Sequence, residues 1–212
     1  MLRDDISITI TLILVLINVV VSLAAFNNQL LMDKLKFNPY MIANKKELWR
    51  FITHGFVHAD IVHLAFNMIA FYSFGTIIEQ LYQQLFGDKA MLYFLGLYFG
   101  GLLTAIVPTY EKHKKDIWYN SVGASGAVSS VVFAFIVYAP FALLGLFFII
   151  PIPAIVFAVL YVIYSFYAGR KGADNINHSA HLSGALFGLL FTAIVDAQAY
   201  PHFIEIIKNR LG

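Results

Sequence analysis

Long apolar runs separated by short polar stretches dominate the hydropathy pattern of the chain. A helix needs about 20 mostly apolar residues to cross the hydrocarbon core of a bilayer. Six runs approach or reach that length, so we expect an all-α, polytopic membrane protein in which residues 1–212 form a single domain. The predicted spans cover residues 6–26, 61–82, 89–108, 122–139, 153–168 and 178–195.

Prolines and run lengths refine these spans. The fourth run is near the lower limit for a span and begins at Val122, so we expect its first turn to lie below the membrane surface. Pro108 is expected to end the third span. Residues 141–168 are more than one helix needs, and Pro151 and Pro153 interrupt them, which predicts a hydrophobic connector before the fifth span.

The polar stretches predict the connections. Residues 27–60 mix five Lys and Arg side chains with aromatic ones, a composition that suits the headgroup region. We therefore expect a long, partly membrane-embedded first loop. A charged loop is expected at residues 111–116, a turn at 169–175 and a polar tail after Asp196.

Composition supports an integral membrane protein. The chain is 60% hydrophobic and 12% charged, with a mean hydropathy of +0.75, whereas soluble domains have about 45–50% apolar and about 25% charged residues. The first apolar run is longer than the apolar region of a secretory signal, so we expect a retained helix. The net charge is +2, without a nucleic-acid-binding patch. The absence of cysteine excludes disulfides, thiolate catalysis and Cys-ligated metals.

Polar side chains inside the predicted spans are costly, and ionisable ones usually serve a function. Four places in this chain carry them. They are His63 with Asn67 in the second span, Glu79 later in that span, Ser125 in G-A-S-G at the start of the fourth span, and His178 with His181 at the start of the sixth. The i,i+4 spacing of the first pair puts the imidazole and the carboxamide on one helix face.

Ser125 could be an activated nucleophile. A serine needs a base within hydrogen-bond reach, and His181 is the best candidate because imidazole titrates near neutral pH. His63, Asn67 and the N–H of Ser125 at the helix N-terminus can donate to a developing oxyanion. The acidic residue nearest to the base is Asp174, which is expected in a loop, so the sequence predicts a Ser–His dyad rather than a triad.

Glycines would bring these groups together. Gly123 and Gly126 let backbone and substrate approach the serine closely. Gly184 and Gly188 form a G-x-x-x-G seam that lets two membrane helices touch. If the sixth helix packs on the fourth there, the predicted base can reach the predicted nucleophile.

Four motifs, in this order along six spans, are more specific together than any one of them. They are W-R at Trp49–Arg50, H-x-x-x-N at His63–Asn67, G-x-S-G at Gly123–Gly126, and A-H-x-x-G at Ala180–Gly184 leading into G-x-x-x-G. With them the chain resembles the rhomboid family of intramembrane serine proteases, from the first helix to Asp196.

The resemblance implies a six-helix rhomboid-like bundle that cleaves protein substrates which are themselves transmembrane helices. Ser125 would be the nucleophile and His181 the base, while His63 and Asn67 would line the oxyanion site. Cleavage would fall at a small residue in or beside an unwound stretch, in a water-filled cavity without a metal or cofactor. The fifth helix and the connector before it would be the mobile gate.

The chain departs from the family pattern at one position. Several members carry a tyrosine one turn after the nucleophile, stacked against the base, and Ser129 occupies that position here. His181 is therefore expected to lack aromatic support and to be held differently, for example by a hydrogen bond from Ser129. The resemblance also places Gly123 in the turn before the nucleophile. Trp49 and Arg50 are interpreted as interface anchors that fix the first loop by hydrogen bonds.

Structural alternatives exist for each motif. G-A-S-G could be a packing turn, and His63 with Asn67 could be an interhelical hydrogen-bond pair worth about 1 kcal/mol. A metal site built from His54, His58 and His63 is disfavoured because the chain has no H-E-x-x-H. We expect the first two histidines to make structural bonds and Glu79 to be structural. For the whole chain, one alternative is a non-catalytic relative that binds membrane clients. Another is a transporter or metal-handling membrane protein, which would need paired intramembrane charges or broken helices at a midplane site.

The expected location is the inner (plasma) membrane of a bacterial cell. The resemblance implies a cytoplasmic N-terminus and an active site that faces away from the cytoplasm. That orientation leaves only four of the 14 Lys and Arg residues inside, with five of the rest in the first loop, against the positive-inside rule. We keep it because the first loop is expected to fold as an embedded structure. The lipid bilayer and the substrate are the expected partners, nucleic acid is not, and the oligomeric state is open.

Overall fold

A computed structural model describes residues 9–146, 150–171 and 176–212. Helices and one strand pair make up this part of the chain. The α-helices are α1 Ile10–Phe26, α2 Gln29–Leu35, α3 Pro39–Lys45, α4 Arg50–Thr53, α5 Ile61–Phe86, α6 Ala90–His113, α7 Ser125–Tyr138, α8 Ala154–Lys171, α9 His178–Val195 and α10 Ala199–Leu211. Strands β1 Leu143–Leu146 and β2 Ile150–Pro153 pair antiparallel, with Leu143 opposite Pro153.

Each of the six predicted spans falls on one of the longer helices, α1 and α5 to α9. Among the described residues, three segments are long and apolar enough to cross a bilayer by length and composition: 61–113, 154–171 and 178–195. Helices α1 and α7 are apolar but shorter, with 17 and 14 residues. The chain is thus a membrane protein, while six crossings and a single domain over 1–212 stay predictions.

The prediction that Pro108 ends the third span is wrong. Helix α6 continues through Pro108 to His113, so half of the expected charged loop is helical. Proline removes one backbone N–H, but Ala105, Ile106 and Thr109 around it are buried. Packing on both sides of the proline offsets the lost hydrogen bond, as it does in other membrane helices.

Two further helix ends differ from the sequence prediction. Helix α5 continues past residue 82 to Phe86 and ends at Gly87, whose φ of 53° lies in the left-handed region. Helix α8 includes Gly169 and ends at Lys171, inside the segment predicted as a turn. The rest of that turn, including Asp174, lies outside the described residues.

Several elements were not predicted from the sequence: the three short helices α2, α3 and α4 of the first loop, the strand pair and α10. The apolar connector forms the β1–β2 pair, whose four-residue strands are too short to show a periodicity. The polar tail forms α10, with apolar and charged residues mixed along its length. The strand pair contacts α8, and α10 contacts α7 and α9.

Glu79 joins the first two long helices. Its carboxylate accepts hydrogen bonds from the N–H groups of Ile10 and Thr11 at 2.7 and 2.9 Å and from the Thr11 hydroxyl at 2.6 Å. These N–H groups belong to the first turn of α1, which has no intrahelical acceptors for them and favours a negative charge. Glu79 therefore caps α1 from α5.

Helix α7 lies at the centre of the bundle, where every residue from 126 to 137 is buried. It contacts α5, α6 and α9. The first loop packs against α6 through α3 and α4. Within the loop, Arg50 donates to the carbonyls of Asp33 and Lys36 at 2.8 and 2.7 Å. Trp49 is half-exposed and donates to the carbonyl of Lys34 at 3.4 Å. Helix α7 and the first loop thus hold the backbone around the site in place.

Candidate active site

A cavity of about 1090 Å³ opens where α5, α7 and α9 begin. It collects most of the candidate site residues that the sequence singled out. Those that line it are His63, Asn67, Gly123, Ser125, Gly126, Ser129 and His181. Trp49, Arg50, Gly184 and Gly188 are not part of this lining. They act at a distance, by fixing the first loop and by bringing two helices together.

The turn before Ser125 requires glycine. Gly123 has a φ of 116°, a conformation that L side chains rarely adopt. A Cβ at this position would also lie only 2.7 Å from Cε1 of His63. The N–H of Gly123 donates to the carbonyl of His54 at 2.9 Å. The first loop therefore sets the path by which the chain enters α7 at Ser125.

His58 holds the next residue of this turn. The N–H of Ala124 donates to Nε2 of His58 at 3.4 Å, so the proton of the neutral ring is on Nδ1. Nδ1 then donates to the hydroxyl of Ser22 at 2.9 Å, and that hydroxyl donates to the carbonyl of Phe56 at 3.0 Å. A continuous chain of hydrogen bonds thus connects the turn to α1.

His54 and His58 are both neutral. Burial lowers the pKa of His58 to about 3 and the pKa of His54 to about 4, because a buried imidazolium loses its hydration. Nδ1 of His54 is 2.9 Å from the carbonyl of Arg50, which makes it a donor. In the part of the chain that the structure describes, no three His, Cys, Asp or Glu side chains could together hold a metal ion. The two rings hydrogen-bond to backbone groups, His54 to the carbonyl of Arg50 and His58 to the N–H of Ala124.

His63 faces the same turn from α5. Its N–H is capped by the Asp60 carboxylate at 2.8 Å, and its Nδ1 accepts from the N–H of Ala59 at 3.4 Å. The neutral ring therefore carries its proton on Nε2. Nε2 lies 2.9 Å from where a Cβ of Gly123 would be. The Asn67 amide donates to the carbonyl of His63 at 2.9 Å. This arrangement directs a ring N–H donor toward the turn before Ser125.

A glycine seam joins α7 and α9. A Cβ on Gly184 would lie 2.3 Å from the carbonyl oxygen of Gly126, and one on Gly188 would lie 2.2 Å from that of Ser130. Such close approach is possible only where one helix lacks side chains. Since His181 is one turn before Gly184, the seam puts it at the same end of the bundle as the serine.

The expectation that His181 lacks an aromatic neighbour is wrong. The ring of Tyr161, on α8, stacks on it with centroids 6.1 Å apart and an interplanar angle of 15°. Ser129 hydrogen-bonds the Tyr161 hydroxyl at 2.6 Å. Tyr161 was not predicted from the sequence, because Tyr161, Tyr164 and Tyr167 all lie on an apolar helix, where tyrosines are typical membrane-interface residues.

The start of α9 is fixed by polar contacts. Asn177 caps the helix by accepting from the N–H of Ala180 at 3.1 Å, and its amide donates to Thr109 on α6 at 2.8 Å. His178 is buried and lies edge-on to His181, with ring centroids 6.1 Å apart. The candidate base is thus held between one ring from α8 and one from its own helix.

The sequence matches the family model of the Rhomboid domain over residues 45–198. That range contains all four motifs and all residues of the candidate site. The chain belongs to the rhomboid family. Its membership agrees with the resemblance drawn from the motifs, and it places the cavity where α5, α7 and α9 meet inside a rhomboid domain.

Curated rhomboid relatives differ in what their names say about activity. RHOMBOID-like protein 12, mitochondrial, of Arabidopsis thaliana is 31% identical over 196 residues, which cover 86% of this chain and 56% of the relative. Rhomboid protease AarA of Providencia stuartii is 26% identical over 185 residues, covering 80% and 63%. Inactive rhomboid-related protein 2 of Caenorhabditis elegans is 29% identical over 162 residues, covering 73% and 42%. The chain spans only 56% and 63% of the first two relatives.

Proposed function

We propose that this rhomboid-family protein is a serine-type intramembrane endopeptidase that hydrolyses peptide bonds in or near transmembrane segments. Ser125 is the nucleophile and His181 the general base of a Ser–His dyad. The observation that supports this most directly is the convergence of Ser125, His181, His63 and Asn67 on one cavity. A packing turn or a client-binding surface would need no such set of groups.

The chemistry begins with proton transfer from the Ser125 hydroxyl to His181. Oγ attacks the scissile carbonyl, whose oxygen becomes an oxyanion. His181 then gives its proton to the leaving amine as the C–N bond breaks, which leaves an acyl-enzyme. A water molecule, deprotonated by the same imidazole, releases the carboxylic acid and restores the serine. No metal or cofactor takes part in this proposal.

Three donors serve the oxyanion in this mechanism. The N–H of Ser125 belongs to the first turn of α7, where N–H groups lack intrahelical acceptors and the helix dipole favours negative charge. Nε2 of His63 carries a proton and faces the turn, and the Asn67 amide lines the same cavity. Removal of one such donor costs roughly a hundredfold to a thousandfold in other serine hydrolases.

The apolar part of the cavity suits a transmembrane substrate. Apolar side chains from three helices line it: Phe66 and Phe74 of α5, Phe157 of α8 and Phe133 of α7. A helix from the bilayer would meet apolar side chains first and the polar groups at the end of the cavity afterwards, where a locally unwound segment reaches Ser125. The partners in this proposal are the lipid bilayer and a transmembrane-helix substrate cut at a small residue.

The proposed topology has six crossing helices and an active site that faces away from the cytoplasm. A bacterial plasma membrane is the proposed location, although one relative named above is mitochondrial. Single cysteines introduced between residues 111 and 116 should therefore react with a membrane-impermeant reagent added outside intact cells. Reaction only after the membrane is opened would reverse the orientation.

Fluorophosphonate labelling in mild detergent tests the activity. We expect the unaltered protein to be labelled, and both Ser125→Ala and His181→Ala to lose the label while keeping the unaltered thermal unfolding midpoint. A second candidate, a non-catalytic protein that retains membrane clients, draws on the relative named as inactive. That candidate is favoured if the folded, unaltered protein takes up no label and cleaves no transmembrane substrate.

A further inference from the structure

Tyr161 connects three parts of the site. Its ring stacks on the candidate base with centroids 6.1 Å apart, and its hydroxyl is 2.6 Å from Oγ of Ser129 on α7. Phe133 and Phe157 pack against the ring with centroid distances of 5.5 and 5.7 Å. The tyrosine is therefore held both by packing and by a directional bond, and the imidazole of His181 lies parallel to it.

Stacking limits the orientations of the base. An imidazole at the first turn of a helix can rotate about two side-chain bonds, and only a narrow range of rotations points a ring nitrogen at the serine. A parallel aromatic face on one side and the edge of His178 on another exclude most alternatives. The Ser129 bond in turn fixes Tyr161, because a half-buried hydroxyl that loses its partner costs free energy.

This support comes from a different helix than the nucleophile. Tyr161 belongs to α8, in which only Ala154 and Ser165 are buried among the described residues. Outward movement of α8 would therefore carry the ring away from the base and break the bond to Ser129. Helix α7, by contrast, is buried over almost its whole length.

We infer that Tyr161 is a positioning residue that aligns His181, and that α8 must be docked for the base to be aligned. This inference rests on the proposed Ser–His function. It assigns to α8 a second task besides bordering the cavity, because the same helix also carries the ring that stacks on the base. Ser129 is part of the device, as the hydroxyl that anchors Tyr161 to α7.

Kinetics of fluorophosphonate labelling measure the effect of the ring. Tyr161→Leu should lower the maximal labelling rate by roughly tenfold to a hundredfold, the loss expected for a misplaced catalytic group. Tyr161 also lines the cavity, so the probe concentration at half-maximal rate is measured separately, and a positioning role predicts that the loss appears in the maximal rate. Tyr167→Leu is the matched control on the same helix, since that side chain is 62% exposed, and it should label like the unaltered protein.

Further variants separate the effect of the Tyr161 ring from the effect of its hydrogen bond to Ser129. Tyr161→Phe keeps the stack and loses the bond to Ser129, so its rate should lie between those of the unaltered protein and Tyr161→Leu. Ser129→Ala should match it, and the combination should be no slower than either change alone. Ser129→Tyr, added to Tyr161→Leu, returns a ring from α7 and should recover most of the rate. The inference would be overturned if the protein with both Ser129→Tyr and Tyr161→Leu were labelled as slowly as Tyr161→Leu alone. It would also be overturned if Tyr161→Leu were labelled as fast as Tyr167→Leu.

A signal that is independent of activity distinguishes this inference from the proposed function. In protein with ¹³C-labelled histidine, the Cε1–H resonance of His181 is the one of seven that disappears in His181→Gln. Tyr161→Leu should shift it by removing a ring current, and Tyr167→Leu should not. If the His181 resonance shifts in Tyr161→Leu but the unaltered protein does not react with the fluorophosphonate, the contact is supported and the protease function is refuted. If the unaltered protein reacts with the fluorophosphonate but the His181 resonance does not shift in Tyr161→Leu, the protease function is supported and the positioning role is refuted.

Discussion

Helices α7 and α8 are neighbours at the cavity but differ in how they are held. Every residue of α7 from 126 to 137 is buried, while α8 buries only Ala154 and Ser165 among its described residues. The backbone of α7 touches α9 at two glycines. The wall of the cavity thus consists of one helix fixed on all sides and one helix fixed on a single side.

The difference in burial between α7 and α8 separates the helix that carries the candidate nucleophile from a helix that borders the cavity. Ser125 and its turn belong to α7, the more buried helix, so displacing them would cost more packing than displacing α8. Helix α8 can be displaced at lower cost, because regions with few buried apolar contacts open most easily. Tyr161 is the exception, since it puts part of the base's support on the more easily displaced helix.

The largest expected effect follows from breaking the fixed side. Gly184→Val would place side-chain carbons within 2.3 Å of the carbonyl oxygen of Gly126, so α9 must move away from α7. Overpacking of this kind costs about 1–3 kcal/mol, and a shift of about 1 Å between nucleophile and base should lower labelling roughly a hundredfold. Labelling rate and thermal unfolding should both be measured.

Ala193→Val is the control for this change. It enlarges an exposed residue of the same helix and should alter neither rate nor stability. If Gly184→Val keeps full labelling, the close seam is not what aligns serine and base, and the contrast between the two helices loses its functional meaning.

A smaller effect tests whether the fixed side includes the first loop. His54 and His58 have pKa values lowered by burial to about 4 and about 3, whereas both rings titrate near 6.5 when unfolded. Below pH 6.5 the unfolded chain therefore binds protons that the folded chain excludes, and stability falls as the pH falls. Each ring should contribute about 1.4 kcal/mol of loss between pH 8 and pH 5.5, measured by reversible unfolding in detergent.

Two variants assign this pH dependence. His58→Gln should remove one ring's share of the loss, and His202→Gln, which changes an exposed ring on α10, should leave it as it was. An unaltered protein that is equally stable at both pH values would show that the two rings already carry protons when folded, contrary to their role as neutral supports of the turn.

The smallest effect compares one serine on each helix. Ser130 on α7 donates to the carbonyls of Leu97 and Ala127 at 2.9 and 2.8 Å, so Ser130→Ala should destabilise the protein by about 1 kcal/mol. The buried Ser165 hydroxyl on α8 has no hydrogen-bond partner within the described residues. Ser165→Ala should be neutral or stabilising by up to about 1 kcal/mol. Equal losses for both variants would contradict the difference between the helices.

The sequence predicted the long helices well because a helix that crosses a bilayer needs a long apolar run, which hydropathy detects. The sixth predicted span, 178–195, has the bounds of α9. Predicted ends were wrong where packing overrode a local signal, as at Pro108, whose neighbours are buried. The β1–β2 pair was missed because its apolar side chains do not distinguish a strand from a membrane-embedded connector.

In the site, motif spacing predicted which residues share the cavity but not what supports them. His63, Asn67, Ser125 and His181 could be selected because polar groups are rare in spans. Tyr161 could not, since nothing in an apolar helix shows which of three tyrosines faces inward. One signal was present: Ser129 left a space where other members carry an aromatic ring.

The hydrogen bonds of His58 have a consequence for biosynthesis. They join Ser22 and Ala124, which lie 36 residues before it and 66 residues after it in the chain. Until α1, the first loop and α7 have all been inserted and have docked, the turn lacks its partners and Ser125 is an ordinary hydroxyl. Under the proposed function, a nascent chain therefore acquires an activated serine only after these three parts have docked, because the nucleophile and its turn form in the same assembly step.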